Sequence, residues 1–412
     1  MTGMNRLTNT VRPYAWGSTT AIPGLLGTPP TGEPQAELWM GAHPGAPSHI
    51  DRGEGPQPLD AVIDADPVAE LGEATVKRFG PRLPFLFKVL AAASPLSVQV
   101  HPDLAQARAG FADEQARGIP LDAPHRNYKD ANHKPEMLVA LSPFDGLCGF
   151  RRPTEAADLL DGLGVGALAP YADILRAHPE DRALREVLAA VLGAAPEESA
   201  ATVHDAAQAA ARLAATPSAP HAADYAAYAR AAHDFPGDRG LIAAMLLNYV
   251  RLQPGEALYL GAGVPHAYLD GLGVEIMANS DNVLRCGLTP KHIDVPELLR
   301  VVRFEAGDPG VLRPEAAPDG EEVYAAPIDE FRLSRYVLAP DSDPRVLDHG
   351  TPQILLCTAG RAVLRTLAPH ARDSAPHGPG LTLARGESAW IPAGERTELT
   401  GEGTVFRATV AA

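Results

Sequence analysis

The feature that most constrains the fold is an abrupt change of texture within the chain. From about Thr154 to Asn248 the sequence is Ala-rich with recurring Leu, Val and Tyr, whereas on either side it consists of short apolar runs punctuated by Gly and Pro. Segments such as YADILRAHPEDRALREVLAAVL and RGLIAAMLLNYV are of helical length and rich in strong helix formers, with Pro-containing breaks between helical stretches. Their regularly spaced large apolar residues favour packed helices over a flexible linker. The flanks read as strands. In PRLPFLFKVLAAASPLSVQVHPD, which begins at Pro81, one strand is expected over roughly Phe85 to Leu90 and another around Val98 and Val100. Ala91 to Ala93, Ser94 and Pro95 form the intervening turn.

After Pro254 the strand pattern returns. The phrase GEALYLGAGVPHAY (Gly255 to Tyr268) resembles GESAWIPAGERTEL (Gly386 to Leu399) at a constant offset, which predicts two related β units. Position 266 is His and its counterpart, position 397, is Thr, so only the first unit keeps that possible ligand. Short Gly-punctuated strands of this kind match cupin-like jelly-roll β-barrels, whose mouths hold a metal or a ligand. The expected fold is mainly β, with such barrels and an inserted all-α domain. A chain of 412 residues exceeds what one core usually organises. The expected boundaries are 1–152 for the first part of a catalytic barrel domain, 153–250 for the helical domain, 251–320 for completion of the catalytic domain, and 321–412 for a C-terminal barrel without metal ligands.

Composition excludes several function classes. With 45% hydrophobic and 21% charged residues the chain is not a disordered one. A formal charge of −16 argues against nucleic acid as a partner, although a few cations inside a cleft still suffice to bind an anion. The three cysteines, Cys148, Cys286 and Cys357, are isolated, so neither a disulfide framework nor a thiolate cluster is indicated. The start MTGMNRLTNT has no apolar signal core, and no run approaches the length of a membrane span. A cytoplasmic protein with no membrane partner is expected.

The densest chemical signal is SVQVHPD at Ser97 to Asp103. Gln99 and His101 are two positions apart, so an extended strand turns both to one face. In NYKDANHKPEMLVAL, Glu136 opens an apolar strand-like run and offers an anionic oxygen, while His266 in GAGVPHAY sits beside a turn. Gln99, His101, Glu136 and His266 together make a mixed N/O donor set compatible with zinc and an exchangeable oxygen ligand. Such a set alone does not separate zinc from manganese, nickel or iron. Read singly, each of the four has an ordinary structural explanation as a hydrogen-bonded or ion-paired side chain.

Longer phrases bear on that choice. YAWGS at Tyr14, AELWMGAHP at Ala36, PLSVQVHPD at Pro95, NYKDANHKPEM at Asn127, LCGFR at Leu147, GVPHAYLDG at Gly263 and VEIMANSDNVLRCGLTPKHID at Val274 occur in the order found in type I mannose-6-phosphate isomerases, and the chain resembles that family over roughly its first 300 residues. The resemblance implies zinc ligation by Gln99, His101, Glu136 and His266, one zinc ion per chain, and interconversion of mannose 6-phosphate and fructose 6-phosphate. It implies substrate-binding positions at Ser97 and Lys291, and no departure at the four ligands.

Moving a carbonyl between C1 and C2 passes through an enediol or enediolate, whose charge needs a cationic donor. Arg285 is the leading residue for that role. Lys134 is a candidate for proton transfer, or for holding phosphate or neutralising Glu136. His133 and Asp281 are candidates for ring opening or for orienting a ligand. Glu275 is a candidate for binding a sugar hydroxyl or orienting another residue, and Trp16 for lining the cleft. Trp39 and Cys148 are expected in the core. Two alternatives stand beside isomerisation: a metal-dependent dioxygenase, recognised by oxygen consumption, and a non-catalytic phosphosugar-binding regulator, recognised by binding without turnover. A monomer is expected.

Overall fold

The strand Phe85–Ala92 is buried at every residue, because Glu37–Met40 pairs along one edge of it and His266–Ala278 along the other. These observations come from a computed structural model, which describes residues 3–216, 218–347, 350–367 and 377–411. His266–Ala278 is the spine of a ten-stranded sheet. Near its start it pairs with Val98–Val100 and Phe144–Phe150, and further along with Phe85–Ala92 and Glu136–Ala140. One long strand thus gathers segments that are far apart in the chain.

A nine-stranded sheet is built mostly from the C-terminal part, with Gln353–Thr366 and Thr397–Thr409 at its centre and Asn5–Arg6 at one edge, paired with Ser388–Ile391. The two sheets share an apolar core in which Phe87, Val89 and Ile276 lie in one cluster with Trp390 and Phe406.

The related phrases fold alike. Ala257–Leu260 followed by His266–Ala278 is matched by Ser388–Ile391 followed by Thr397–Thr409, and all four bounds are displaced by the same 131 residues. The expectation of cupin-like jelly-roll barrels is corrected, however. The larger sheet runs from Leu247–Leu252 at one end to Thr10–Arg12 at the other, and among the described residues these ends do not pair. The architecture is mixed α/β, with open sheets and helical segments. Alternating apolar residues and turn glycines encode which neighbouring strands pair, but closure depends on edge strands remote in sequence, and that pattern carries no signal for it.

The Ala-rich stretch is helical, with Pro153–Gly162, Ala169–Ala177, Glu180–Gly193, Pro196–Ala214, Ala222–Asp234 and Gly240–Met245. In Glu180–Gly193, Leu184, Val187, Leu188 and Val191 form a buried stripe at helical spacing. Each such side chain contributes roughly 1.5–3 kcal/mol on burial. Their core cluster includes Val98, Val100, Leu284 and Cys286, so the helices pack behind the strands that carry Gln99 and Arg285. The last expected helix stops early. GLIAAM is helical, but Leu247–Leu252 becomes a strand against Phe144–Phe150, since Tyr249 and Val250 suit a pleated surface and the sheet offers a free edge.

Candidate metal centre and anion cleft

Four strands place one polar residue each in a single row. Arg285 is the register partner of Gln99, Gln99 of His266, and His266 of Cys148. Register partners on antiparallel strands turn their side chains to the same face. Val98 and Val100, which alternate with Gln99, point the other way into the helical core. His101 follows just beyond this strand, and Glu136 opens Glu136–Ala140, opposite Met277 of the spine.

His101, Glu136 and His266 are all buried, and their ligand atoms lie within 4.8 Å of one another. His101 Nε2 is 3.4 Å from Glu136 Oε1, and His266 Nε2 is 3.4 Å from Glu136 Oε2. The Gln99 amide nitrogen lies 3.4 Å from His266 Nε2. The other nitrogen of each ring is already engaged: His101 Nδ1 donates to the Asn282 carbonyl at 2.7 Å and His266 Nδ1 to the Val264 carbonyl at 2.9 Å. Both Nε2 lone pairs therefore face inward. The buried Asn282 side chain secures its own backbone by accepting from Lys129 N at 2.7 Å and donating to the Asn132 carbonyl at 2.8 Å.

The donor set fits a cation. His101 Nε2 and Glu136 Oε2 are buried without a hydrogen-bond partner among the described residues. An unsatisfied buried polar atom costs roughly 1–3 kcal/mol, a cost that a bound ion removes. Burial pushes the His101 imidazole down to about 4, so it stays neutral. Burial also opposes charge on Glu136, but Lys134, whose Nζ stands 3.0 Å from Oε1, and the imidazoles outweigh it and hold the carboxyl well below its ordinary range. Neutral imidazoles and an ionised carboxylate are the forms that bind zinc.

Above this centre opens a cleft of about 700 Å³, lined among others by Trp16, Ser97, Gln99, Arg285 and Lys291. Gln99 links its floor to the metal centre. Tyr14 stacks on Trp16 at one side, with ring centroids 5.8 Å apart. Burial lowers both Arg285 and Lys291 from their ordinary ranges, and the nearby Arg285 charge lowers Lys291 further. Neither cation has a carboxylate ion pair among the described residues, so the cleft, which Asp234 also lines, presents two unpaired cations in a chain of net charge −16.

Other sequence-derived candidates are held by partners of their own. His133 Nε2 is hydrogen-bonded to Glu330, and Asp281 lies 3.4 Å from His43 Nε2. Glu275 Oε2 is 2.6 Å from Lys88 Nζ, which also reaches Glu37 Oε1 at 3.2 Å. Sequence reasoning passed over Lys88, Glu37, His43 and Asn282. Lys88 had a legible signal: it is the one charge in the otherwise apolar FLFKVLAA, and a charge buried in a strand needs partners on its neighbours. Its register partners are Glu275 and Trp39, and Trp39 Nε1 donates to Glu37 Oε2 at 2.7 Å. Trp39 and Cys148 are buried, and burial pushes the Cys148 thiol up to about 12, leaving it protonated.

A buried His/His/Glu centre below a cleft that presents Arg285 and Lys291 has the build of a metal-dependent enzyme with an anion-receiving site. Residues 4–153 match the family model described as phosphomannose isomerase type I, catalytic domain, and the chain is 41% identical over 408 residues to mannose-6-phosphate isomerase of Escherichia coli K12, covering 98% of this chain and 99% of that protein. The chain belongs to the type I phosphomannose isomerase family. The Bos taurus mannose-6-phosphate isomerase is 34% identical over 417 residues, covering 94% of this chain and 93% of that one. The Salmonella typhimurium mannose 6-phosphate isomerase, solved with its substrate and a zinc atom bound, superposes with a TM-score of 0.88 at 41% identity over 100% of both chains. A further mannose 6-phosphate isomerase structure is a zinc-bound holo form, and in this chain His101, Glu136 and His266 are grouped closely enough to hold a metal ion.

Proposed function

We propose, as the reading these observations support best, that the protein interconverts D-mannose 6-phosphate and D-fructose 6-phosphate as a zinc-dependent aldose-ketose isomerase. The observation that carries it is the row Arg285, Gln99, His266, which joins a buried zinc donor set to a cleft of unpaired cations. Full-length likeness to mannose-6-phosphate isomerases sets aside the dioxygenase and the non-catalytic regulator.

In this reading His101, Glu136 and His266 would hold the zinc ion, and Gln99, whose amide nitrogen stands 3.4 Å from His266 Nε2, would turn its carbonyl oxygen inward as a fourth donor. When bound, zinc supplies Lewis-acid polarisation of the substrate oxygens at C1 and C2. Ser97 and Lys291 receive the phosphate, and Trp16 forms one wall of the cleft. His133, oriented by Glu330, and Asp281, oriented by His43, serve ring opening. A proton leaves C2 of the open-chain aldose, an enediolate forms, a proton returns at C1, and the O2 hydroxyl proton passes to O1, giving the ketose. Lys134 is assigned this transfer. Arg285 presents several N–H donors to the oxygens on which charge develops. Glu275 acts from the buried cluster with Lys88, keeping the floor of the site in place.

Residues 1–152 and 251–320 supply the site in this reading, residues 153–250 its helical backing, and residues 321–412 no ligand. The described helices include none long and apolar enough to cross a membrane, and the three cysteines are free and buried. A single chain supplying all the groups, in a reducing cytoplasm, completes the reading. ¹³C NMR of mannose 6-phosphate incubated with the purified protein tests it: fructose 6-phosphate is expected to accumulate to equilibrium, and an unchanged spectrum would reject the assignment.

A further inference from the structure

Part of the cleft wall is made where the helical part meets the loop after Arg285. Asp234 and Phe235 come from the end of the Ala222–Asp234 helix, and Leu288, Thr289, Pro290 and Lys291 from the loop that follows Leu284–Gly287. At this seam the backbones touch. A Cβ added at Gly240 would sit 2.4 Å from Gly287 Cα, and one added at Gly287 would sit 2.2 Å from Gly240 Cα. The next residue, Leu288, is buried and left-handed at φ 53°, a conformation a leucine keeps only where its surroundings impose it.

One side chain ties the two parts together. The half-buried Asp238 accepts from Gly240 N through Oδ1 at 2.7 Å and from Thr289 N through Oδ2 at 2.9 Å. Thr289 passes the constraint on, because its hydroxyl accepts from Lys291 N at 3.1 Å. Two successive hydrogen bonds thus run from Asp238 to the backbone of the lysine that faces the cleft. A lysine side chain has several rotatable bonds, so fixing where its backbone starts is what limits where its ammonium can go.

We infer that Asp238 is a positioning residue for this enzyme: through Thr289 it fixes Lys291 in the cleft, and so sets the affinity for the phosphate end of the substrate. The inference rests on the reading of Lys291 as a phosphate-binding residue. The link acts on binding and leaves the carbons that react, close to Arg285 and the metal centre, to other groups. Its loss therefore raises KM and leaves kcat in place. A merely structural Asp238 behaves differently: its loss reduces the amount of folded enzyme, which lowers apparent kcat without altering KM.

The test uses steady-state kinetics of the zinc-loaded full chain, together with inorganic phosphate as a competitive inhibitor, on Asp238→Asn, Thr289→Val, Thr289→Ser and Lys291→Ala. In Asp238→Asn an amide NH₂ replaces one accepting oxygen. In Thr289→Val the hydroxyl that holds Lys291 N is gone while Thr289 N stays bonded to Asp238. Both are expected to raise KM and the inhibition constant of phosphate about tenfold, the scale of one hydrogen bond, with kcat within about twofold. Thr289→Ser keeps the hydroxyl and is expected to behave as the parent. Unchanged KM and unchanged phosphate inhibition in both Asp238→Asn and Thr289→Val, with Lys291→Ala impaired, would overturn the link. Unchanged constants in Lys291→Ala as well would instead overturn the phosphate role of Lys291 and the inference with it. Should Asp238→Asn fold poorly, its KM and phosphate inhibition constant are read on the folded fraction, since neither depends on the amount of active enzyme, and parent-like values there would overturn the role of Asp238.

Discussion

Arg285 and Gln99 are register partners on adjacent antiparallel strands, although 186 positions separate them in the chain. The pairing sets a guanidinium beside an amide whose own nitrogen reaches to 3.4 Å from His266 Nε2. In the proposed reading, the charge-stabilising guanidinium and the His266 donor are thus held on the two strands that pair with the Gln99 strand in one sheet. A surface of this kind keeps its donors aimed where charge develops and needs no reorganisation as the reaction proceeds.

Arg285→Ala is expected to lower kcat by about a hundredfold or more, because in the proposed reading it removes donors to the developing enediolate. Zinc content and the circular dichroism spectrum should match the parent, since no carboxylate among the described residues pairs with this guanidinium. Turnover near the parent value would take Arg285 out of the mechanism.

Truncating a ligand should release the metal. Glu136→Ala and His266→Ala are expected to reduce zinc affinity by more than the roughly 10–100-fold typical of losing an outer hydrogen-bond partner. For Gln99→Ala a smaller loss, about tenfold, is expected from removing a weak amide donor. Zinc content by elemental analysis after dialysis against graded chelator measures all three. Parent-like retention in Gln99→Ala would leave a three-residue protein shell.

Lys88 sits between Glu37 and Glu275 with its ammonium 3.2 and 2.6 Å from their oxygens. Burial works against its charge, and the carboxylates more than restore it, raising its pKa. Lys88→Met strands two buried carboxylates, which should cost about 3–5 kcal/mol of stability. Equilibrium urea unfolding reads this directly, and a midpoint equal to the parent's would show that the cluster relaxes without loss.

Gly287→Ala should be poorly tolerated for two independent reasons. Its φ of 149° lies in a region that residues with a Cβ rarely adopt, and the new carbon would lie 2.2 Å from Gly240 Cα. A loss of about 2 kcal/mol or more is expected. Thermal unfolding of the variant checks it, and an unshifted midpoint would mean that the seam between the helical part and the Arg285 strand opens freely.

The strand from Phe85, the strand Val98–Val100 and the helices from Pro153 onward were legible because apolar periodicity and helix propensity are local properties, whereas Ala91 and Ala92, expected in the turn, continue the first strand because Gly271 and Leu272 pair with them. The repeat was legible because His266 and Thr397 start strands of equal length after equal turns. Open sheets could not be told from closed barrels, since that depends on whether Leu247–Leu252 meets Thr10–Arg12, and neither segment encodes the other. Within the site, Gln99 and His101 were readable from spacing. Glu136 and His266 became neighbours only through the spine strand, which only resemblance could anticipate. Asn282 was out of reach of sequence reasoning, because it acts through a backbone carbonyl and an amide network rather than through a recognisable ligand type.

The most direct test of the central claim is turnover by one preparation before zinc removal, after it, and after titration with zinc. If a His/His/Glu zinc centre drives the isomerisation, conversion of mannose 6-phosphate should vanish with the metal and return in proportion to added zinc, reaching its limit at one ion per chain. Undiminished conversion by metal-free protein that has kept its fold would contradict that claim.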